Sequence, residues 1–437
     1  MNIPRKRVLA LFSIGGSVAL AACGGSSSGN SGGSNPSLSG QKVEVAAVWT
    51  QTEEANFKGV LDGFTAKTGA SYTFTSTGDN IGTVLGTRIA QNNPPDVAIL
   101  PQPGLMKDLA TKGSLKQLDS TTIDAINKNY ASYWKDLGTV SGKTYGVFFK
   151  AANKSTFWYS PAQFKTAGIS SNPKTWDDLV KTAGTISASG TPPVAVGGAD
   201  GWTLTDWFEN VYLSQAGPDN YDKLTQHQIK WTDPTVATAL QTLAKIWGQP
   251  NLLMGGSQGA LSTDFPTSAA AIVGAKPKAA MMYEGDFVAG VLSGTGNAKA
   301  GTDFDYFPFP TAGSTTGIVG GGDVAVMLKD TPAARAVMAY LASPEAANLW
   351  IPKGGFTSPN KNADTSKYPD AISTKAAKQL VGSSVFKFDM SDQAPAAFGG
   401  TKGKGEWADL QNFLGHPTDV AGAQAQLEKD AAAAYGG

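Results

Sequence analysis

Strand-like and helix-like segments alternate in the first quarter of the chain, and this order restricts the possible folds more than any other feature. Apolar and charged residues alternate from Lys42 to Ala47, which predicts a half-buried strand. Apolar residues then recur at helical spacing from Phe57 to Phe64, and Gly69 supplies a stop. The same order repeats with strands at Tyr72 to Thr77 and Val97 to Leu100. Strands separated by helices pair in parallel, so we predict an α/β fold with a mainly parallel sheet.

The pattern continues in the rest of the chain with longer helical stretches. A strand is expected from Thr144 to Phe149, an extended segment at Trp158 and Tyr159, and mainly helices from Trp176 to Trp247. A second strand and helix pair is expected at residues 323–341. The length of 437 residues predicts two or three domains. No internal repeat with a period of about 20 to 50 residues is visible in the sequence.

The N-terminal segment has the pattern of an export signal that ends at the single cysteine. Three basic residues at positions 5–7 precede an apolar run at 8–19, which is too short to span a bilayer of about 30 Å. The following Leu20-Ala21-Ala22-Cys23 closely resembles a bacterial lipoprotein box, which implies that residues 1–22 are removed and that Cys23 is lipidated. Residues 24–40 are almost all Gly, Ser, Asn and Pro, so we predict a disordered tether. We therefore expect the mature chain at the outer face of the cytoplasmic membrane, held by lipid alone.

Composition excludes several classes of function. With 35 basic and 35 acidic residues the formal net charge is zero, which argues against a nucleic-acid partner. A single cysteine cannot form an internal disulfide, and two distant histidines cannot complete a zinc site. Carboxylates alone could hold calcium, but the sequence has no EF-hand-like loop. We predict no cofactor and no metal.

Several short motifs match one family in their order and spacing. In chain order they are Pro94 to Val97, Gly142 to Val147, Ala280 to Gly285, Gly320 to Asp323, Ala342 to Ala347 and Lys353 to Pro359. The sequence resembles the extracellular solute-binding proteins of ABC importers, in the class of maltose-type and α-glucoside-type binding proteins. The resemblance implies a monomer that captures a carbohydrate and delivers it to the membrane subunits of an ABC permease.

The resemblance also implies a fold like that of the periplasmic binding proteins, with two α/β lobes joined by hinge strands. Each lobe would be discontinuous in sequence. The first would hold residues 41–150 plus 311–360, and the second residues 151–310 plus 361–437. The ligand would bind in the cleft between the lobes, and pockets in general favour domain interfaces and the carboxyl ends of parallel strands.

Candidate ligand residues follow from this placement, because a sugar needs flat aromatic surfaces beside polar groups. Trp49, Asp79 and Gln102 each follow a predicted strand, at the edge where the cleft should open. Trp202 and Trp207 would not share one face of a helix, so we expect one to stack on a sugar and the other to be core, with Trp202 in the preceding loop.

The remaining candidates lie near the predicted crossovers or in family motifs. Glu284 stands where the family commonly has a polar ligand contact followed by an aromatic residue, and here Phe287 follows. The others are Lys150, Asn153, Lys154, Asp286, Asp323, Gly355, Phe356 and Asp389. For all of them, ordinary turn or hinge chemistry is the competing interpretation.

Two kinds of enzyme compete with the receptor interpretation. Ser257 lies in a G-x-S-x-G pattern, but Pro250 and Pro266 flank it where a nucleophile elbow needs a strand and a helix. Paired carboxylates such as Asp206 and Glu209 would suit a glycosidase. A further alternative keeps the fold but binds a charged solute such as a polyamine, or serves a chemoreceptor. The preferred hypothesis is a lipid-anchored receptor for a neutral di- or oligosaccharide, without catalysis.

Overall fold

Two β-sheets organise the molecule, and the chain passes between them more than once. The computed structural model describes residues 38–295 and 297–436, so the predicted leader, Cys23 and residues 24–37 of the predicted tether lie outside the described residues. The strands are β1 (Lys42–Ala47), β2 (Ser71–Ser76), β3 (Val97–Leu100), β4 (Thr139–Val140), β5 (Lys143–Thr144), β6 (Gly146–Asn153), β7 (Thr156–Tyr159), β8 (Val194–Ala195), β9 (Met281–Glu284), β10 (Asp305–Pro308), β11 (Ile318–Met327) and β12 (Phe386–Phe388).

Helices cover both sheets and fill most of the chain between the strands. The first are α1 (Gln51–Thr68), α2 (Ile81–Ala90), α3 (Pro103–Thr111), α4 (Ser120–Asn129), α5 (Ser132–Leu137), α6 (Pro161–Thr166), α7 (Trp176–Ala188), α8 (Trp202–Thr225) and α9 (Pro234–Trp247). They are followed by α10 (Gly256–Ser262), α11 (Phe265–Ala270), α12 (Val288–Gly294), α13 (Pro332–Leu341), α14 (Pro344–Trp350), α15 (Ala371–Gly382), α16 (Met390–Gln393), α17 (Ala396–Gly399), α18 (Gly405–Gly415) and α19 (Val420–Tyr435). Within the described residues, none of these helices combines the length and the apolar character needed to cross a lipid bilayer.

The first sheet has the strand order β12-β11-β3-β1-β2, and β6 also pairs with β11. As predicted, β1 is parallel to β2 and to β3. Three of the five strand pairings in this sheet are parallel, but β11 is antiparallel to both β3 and β6. The reason is the path of the chain, because β6 leaves through the carboxyl edge of the sheet and β11 returns through the same edge. The strand predicted at 144–149 begins at Gly146 and continues to Asn153, so Lys150 and Asn153 lie within it.

The second sheet has the order β10-β7-β9-β8. Strand β7 begins three positions after β6 ends, and β10 precedes β11, so the chain crosses between the sheets at residues 154–155 and 309–317. We refer to each sheet with its packed helices as the first and second lobe. A third passage follows β12, which pairs with β11 in the first sheet although the predicted division assigned residues 361–437 to the second lobe.

Local sequence chemistry sets several helix boundaries. Gly69 ends α1 with a φ of 78°, the left-handed conformation that glycine adopts most easily, as the sequence predicts. Thr175 and Asp178 form a reciprocal capping box at the start of α7. Helix α8 is interrupted at Gly217, where φ is 81° before Pro218. Trp202 is the first residue of α8 rather than part of the preceding loop, because the turn ends at Gly201.

Two further details differ from the simplest interpretation of the sequence. Leu38, counted in the predicted tether, is buried in the first-lobe core, and its backbone N–H donates to the Thr68 carbonyl at 2.9 Å. The packed structure thus begins before residue 41. Ser257 lies in helix α10 and a short 3₁₀ turn precedes it, so the geometry of a nucleophile elbow is not formed there.

Candidate functional site

A cavity of about 330 Å³ opens between the two lobes at the carboxyl edge of the first sheet. Trp49, Asp79 and Gln102, which follow β1, β2 and β3, come together on its wall as their positions predicted. Four more candidates join them on the wall, namely Lys150, Lys154, Trp202 and Asp323. Both hinge strands therefore contribute to the cavity, because Lys150 belongs to β6 and Asp323 to β11.

Aromatic rings from both lobes line this cavity. Trp49 of the first lobe is buried against Phe57 and Trp350, with ring centroids 4.7 and 4.8 Å away. In the second lobe Trp202, Phe265 and Phe287 form a cluster with centroid separations of 5.3 to 6.1 Å. Trp407 of α18 adds another indole to the wall. The site thus offers flat apolar surfaces on two sides.

Lys150 connects the two lobes beside the aromatic rings. Its side chain is buried, and Nζ lies 2.5 Å from Glu53 Oε1 at the start of α1. The ammonium also lies 5.7 Å from the ring centre of Trp49 and 5.5 Å from that of Phe287. Burial alone would lower the pKa of Lys150, but the nearby Glu53 and Asp323 carboxylates outweigh it and raise the pKa. Lys150 therefore stays charged.

Lys154, in the first crossing between the sheets, is held by three carboxylates. Its Nζ lies 2.5 Å from Asp389 Oδ2 and 3.2 Å from both Asp206 Oδ1 and Asp392 Oδ2. Burial opposes the charge, but the attraction of these carboxylates raises the pKa of Lys154. The same ammonium lies 5.8 Å from the ring centre of Trp202. The network joins the hinge to α8 and α16 directly below the cavity.

The carboxyl groups of this network have strongly different proton affinities. Burial and the neighbouring Asp389 raise the pKa of Asp392 to about 8. Burial also raises the pKa of Glu284 to about 8. Burial acts in the same direction on Asp389, but the Lys154 ammonium and hydrogen bonds hold the pKa of that carboxyl below its usual range. Lys154 thus keeps Asp389 ionised, while Asp392 and Glu284 retain their protons near neutral pH.

Asp206, Glu209 and Asp389 lie close enough for their oxygens to surround one ion, within 4.8 Å of one another. Most of these carboxylate oxygens already have hydrogen-bond or ion-pair partners, although Asp206 Oδ2 has none among the described residues. Lys154 contacts Asp206 and Asp389, and Glu209 accepts hydrogen bonds from the Tyr221 hydroxyl and from the backbone N–H groups of Met390 and Ser391. This arrangement favours a structural network. It also leaves no exposed acid pair at Asp206 and Glu209 for glycoside hydrolysis, because both side chains are fully buried.

Four polar or glycine candidates lie behind the cavity wall. Asn153 Oδ1 accepts from the Ser155 N–H at 3.0 Å, and the Asn153 carbonyl accepts from the Asp286 N–H at 2.9 Å. Asp286 in turn accepts from the Thr357 hydroxyl at 2.6 Å. Glu284 ends β9 and is buried, while Gly355 packs against Gly290 of α12. Asn153, Asp286 and Gly355 thus contact residues of the other lobe, and none of the four candidates lines the cavity.

Three further candidates also lie away from the wall. Trp207 is 1% exposed and packs against Phe157 and Tyr283 in the second-lobe core, with ring centroids 5.3 and 5.0 Å away. Phe356 stacks on Trp350 at 5.0 Å. Asp389 belongs to the Lys154 network. Of the two tryptophans on α8, the structure therefore places Trp202 at the cavity and Trp207 in the core.

A comparison with protein families matches residues 49–348 to the family described as "Bacterial extracellular solute-binding protein". The match covers more than half of the chain. The chain belongs to this family. Membership identifies a solute-binding protein rather than an enzyme, and it places the function outside the cell.

Two relatives are similar to this solute-binding protein over most of their length. The osmoprotective compounds-binding protein GgtB of Synechocystis sp. is 33% identical over 384 residues, covering 86% of this chain and 89% of the relative. The alpha-glucosides-binding periplasmic protein AglE of Rhizobium meliloti is 32% identical over 391 residues, covering 86% of this chain and 84% of the relative.

Solved structures support the two-lobed fold. The bacterial solute receptor AcbH, which has an exclusive substrate preference for β-D-galactopyranose, has a TM-score of 0.78 at 20% identity, covering 90% of this chain and 99% of that one. The GacH receptor of Streptomyces glaucescens has a TM-score of 0.74 at 17% identity, covering 91% and 99%. At these identities the similarity concerns the fold, and it confirms the predicted binding-protein architecture.

Several residues on the cavity wall of this solute-binding protein were not among the sequence-based candidates. They are Glu53, Asp200, Asp264, Phe265, Phe287, Ser391, Asp392 and Trp407, among others. Most belong to the second lobe, where residues far apart in sequence meet. Asp264 carries a recognisable signal, since Asp followed by Phe265-Pro266 is a helix start, and Asp264 accepts from the Thr267 N–H at 2.8 Å. That signal gives the helix but not its position beside the cavity.

Proposed function

We propose that this protein captures a short, neutral glycoside in the interlobe cavity and delivers it to an ABC permease. The observation that carries the proposal is the wall of the cavity, where rings from both lobes stand beside fixed charged groups. The cavity volume of about 330 Å³ lies at the small end of the range for ligand pockets, about 300 to 1,000 Å³. This size favours one or two sugar units over a long oligosaccharide.

The similarity to AglE supports an α-glucoside as the first class to test. Aromatic rings such as Trp202 would cover the C–H face of a sugar, and polar groups would meet its hydroxyls. Gln102 is one such group, because its Oε1 is buried and has no hydrogen-bond partner among the described residues. A ligand hydroxyl that donates to Gln102 would satisfy this oxygen.

The pairing of charges favours a neutral ligand over a polyamine. Several acidic side chains line the cavity, and lysine ammonium groups already bind some of them. Glu53 faces Lys150, Asp392 faces Lys154, and Asp79 and Asp200 both face Lys402. A polycation would have to compete with these fixed ammonium groups, whereas sugar hydroxyls can share the same carboxylate oxygens.

The predicted lipid anchor on Cys23 and the monomeric state belong to the same proposal. A lipid anchor would keep the binding cleft of the monomer near the permease. Mass spectrometry of protein extracted from membranes tests the anchor, since the expected N-terminal peptide begins at Cys23 with attached lipid. An unmodified peptide that contains residues 20–24 would contradict it.

A thermal-shift screen tests the binding proposal. Maltose, trehalose, sucrose and methyl α-D-glucoside serve as α-glucoside probes, with raffinose and galactose as other sugars and putrescine and spermidine as charged probes. A ligand at 100 times its dissociation constant stabilises the fold by about 2.7 kcal/mol. We expect a shift with at least one α-glucoside, recovered unchanged. A shift with the polyamines alone, or recovery of cleaved sugar, would contradict the proposal.

A further inference from the structure

A lysine outside the predicted site connects carboxylates of the two lobes at the rim of the cavity. Lys402 lies in the loop between α17 and α18, and its Nζ is 3.4 Å from Asp79 Oδ2 and 3.2 Å from Asp200 Oδ1. Asp79 follows β2 in the first lobe, and Asp200 directly precedes α8 in the second. Both carboxylates line the cavity.

The two carboxylates are close to each other as well as to the lysine. Burial raises the pKa of Asp79 to about 6, and the neighbouring Asp200 contributes to this rise while Lys402 opposes it. Asp200 is fixed in place, because its Oδ2 accepts from the Phe265 N–H at 2.7 Å. At a pH well above the raised pKa of Asp79, where both groups are ionised, they would repel each other across the cleft if no cation stood between them.

The loop that carries Lys402 is also held between the lobes. Gly400 lies against the Gln102 side chain, since a Cβ on Gly400 would be 3.0 Å from Gln102 Cδ. On the other side, the backbone of Gly198, beside Asp200, accepts a hydrogen bond from Gln411 of α18 at 2.8 Å. These contacts place the loop and the start of α18 beside residues of both lobes.

We propose that Lys402 is an electrostatic latch that holds the two lobes together across the rim of the ligand-free cavity. Its ammonium attracts Asp79 of one lobe and Asp200 of the other, and its removal leaves these two carboxylates in repulsion. The latch rests on the proposed cleft, but it does not depend on which solute binds there. By keeping the lobes close, it lowers the cost of closure around a ligand and slows ligand release.

The distance between the lobes in the ligand-free protein tests the latch. Spin labels at Gly86→Cys on α2 and Gly184→Cys on α7 report it, because both glycines are exposed helical positions with room for a side chain. Cys23→Ser removes the single native thiol. Pulsed electron paramagnetic resonance of the full chain at about pH 9, well above the raised pKa of Asp79, then measures the distribution of distances between the two labels.

The latch predicts a different distribution for Lys402→Gln than for the parent protein. Lys402→Arg should keep the parental distribution, and 1 M salt, where the Debye length is about 3 Å, should move the parent toward Lys402→Gln. The matched control is Lys404→Gln, which removes the same charge from an exposed position in the same loop and should change nothing. The double variant Lys402→Gln/Asp79→Asn should return toward the parental distribution, because the repulsion is gone.

Three results would overturn the latch. They are a Lys402→Gln distribution that matches the parent, an equal effect of Lys404→Gln, and a double variant that does not recover. The Lys402 side chain is 41% exposed, so its replacement should leave the fold intact. The salt series is a second test that keeps Lys402 in place.

If the thermal-shift screen finds a sugar, we also expect Lys402→Gln to bind it about two- to fivefold more weakly, in the range of a partly exposed ion pair. A failed sugar screen would leave the ligand-free distance result unaffected, so the two proposals can fail separately.

Discussion

At the scale of single residues, Trp202 and Trp207 show how position on one helix separates a place on the cavity wall from core packing. Both lie on α8, but Trp202 lines the cavity and Trp207 is fully buried among other rings. The sequence predicted that the two would take different roles, because residues five apart do not share a helix face. It could not tell which one faces the cleft, since that depends on how α8 packs on the second sheet.

Replacement by alanine should therefore lower mainly the stability at Trp207 and mainly the sugar affinity at Trp202. We expect Trp207→Ala to lower the free energy of unfolding by about 3 to 5 kcal/mol, as large core truncations do. Trp202→Ala should leave stability nearly unchanged and weaken sugar binding at least about tenfold, which corresponds to about 1.4 kcal/mol. Urea unfolding and calorimetric titration measure the two quantities. A large loss of stability in Trp202→Ala with unchanged binding would contradict the assignment.

Lys154 is the residue whose loss should cost most in stability. Lys154→Met removes the ammonium and leaves the buried carboxyls of Asp206, Asp389 and Asp392 without compensation. Breaking a buried ion pair from one side costs about 3 to 5 kcal/mol, and we expect a loss of this size in urea unfolding. Lys165→Met, on the exposed face of α6, is the matched control and should change stability by less than about 0.5 kcal/mol.

The raised pKa values below the cavity predict how stability depends on pH. The pKa of Asp392 rises from 3.8 to about 8, so the folded protein binds more protons than the unfolded chain between these values. The free energy of unfolding contributed by this group is therefore fully present below pH 4 and is lost as the pH rises toward 8. Glu284, with a pKa raised to about 8, acts in the same direction.

We accordingly expect the melting temperature to fall between pH 6 and pH 8.5, and to fall less steeply in Asp392→Asn. Differential scanning calorimetry over this range measures both slopes. The exposed Asp177→Asn is a suitable control, because its carboxylate is largely in solvent and its slope should match the parent. Equal slopes in Asp392→Asn and in the parent would show that Asp392 does not hold its proton in the folded protein.

At the scale of elements, the sequence predicted the strands and helices that have simple patterns. Alternation predicts β1, a short apolar run predicts β3, and helical spacing predicts α1 with its stop at Gly69. The length of β6 and the direction of β11 did not follow, because a strand that passes between two lobes is buried on all sides and has no alternation. Leu38 likewise looked like part of a polar linker, although its packing against the first-lobe core is a tertiary contact.

The glycines of β11 should be sensitive to added bulk, because the two hinge strands approach closely there. A Cβ on Gly322 would lie 2.9 Å from the Lys150 carbonyl oxygen, which is backbone and cannot move aside easily. We expect Gly322→Ala to destabilise the protein by about 1 to 3 kcal/mol in urea unfolding. Gly86→Ala, at an open position in α2, should instead stabilise it by about 0.5 to 1 kcal/mol. A neutral Gly322→Ala would mean that the hinge strands can separate at low cost.

At the scale of the whole molecule, the site is the product of repeated passages between the lobes. The first-lobe side of the cavity was predictable, because parallel strands bring Trp49, Asp79 and Gln102 to one edge. The second-lobe side was not, since Asp200, Phe265 and Trp407 meet only through helix packing and the passage after β12. No local sequence pattern predicts that these three residues lie close together, although the family resemblance correctly predicted a cleft between two lobes.

We expect the interlobe cavity to bind a neutral sugar and to release it unchanged. A calorimetric titration of the purified protein and of Trp202→Ala with the α-glucoside that gives the largest thermal shift, followed by chemical analysis of the recovered sugar, tests this expectation. We expect saturable binding of one sugar per chain, at least about tenfold weaker in Trp202→Ala, with intact sugar after the titration. Equal binding by both proteins, or cleaved sugar in the sample recovered from the calorimeter, would contradict a sugar receptor.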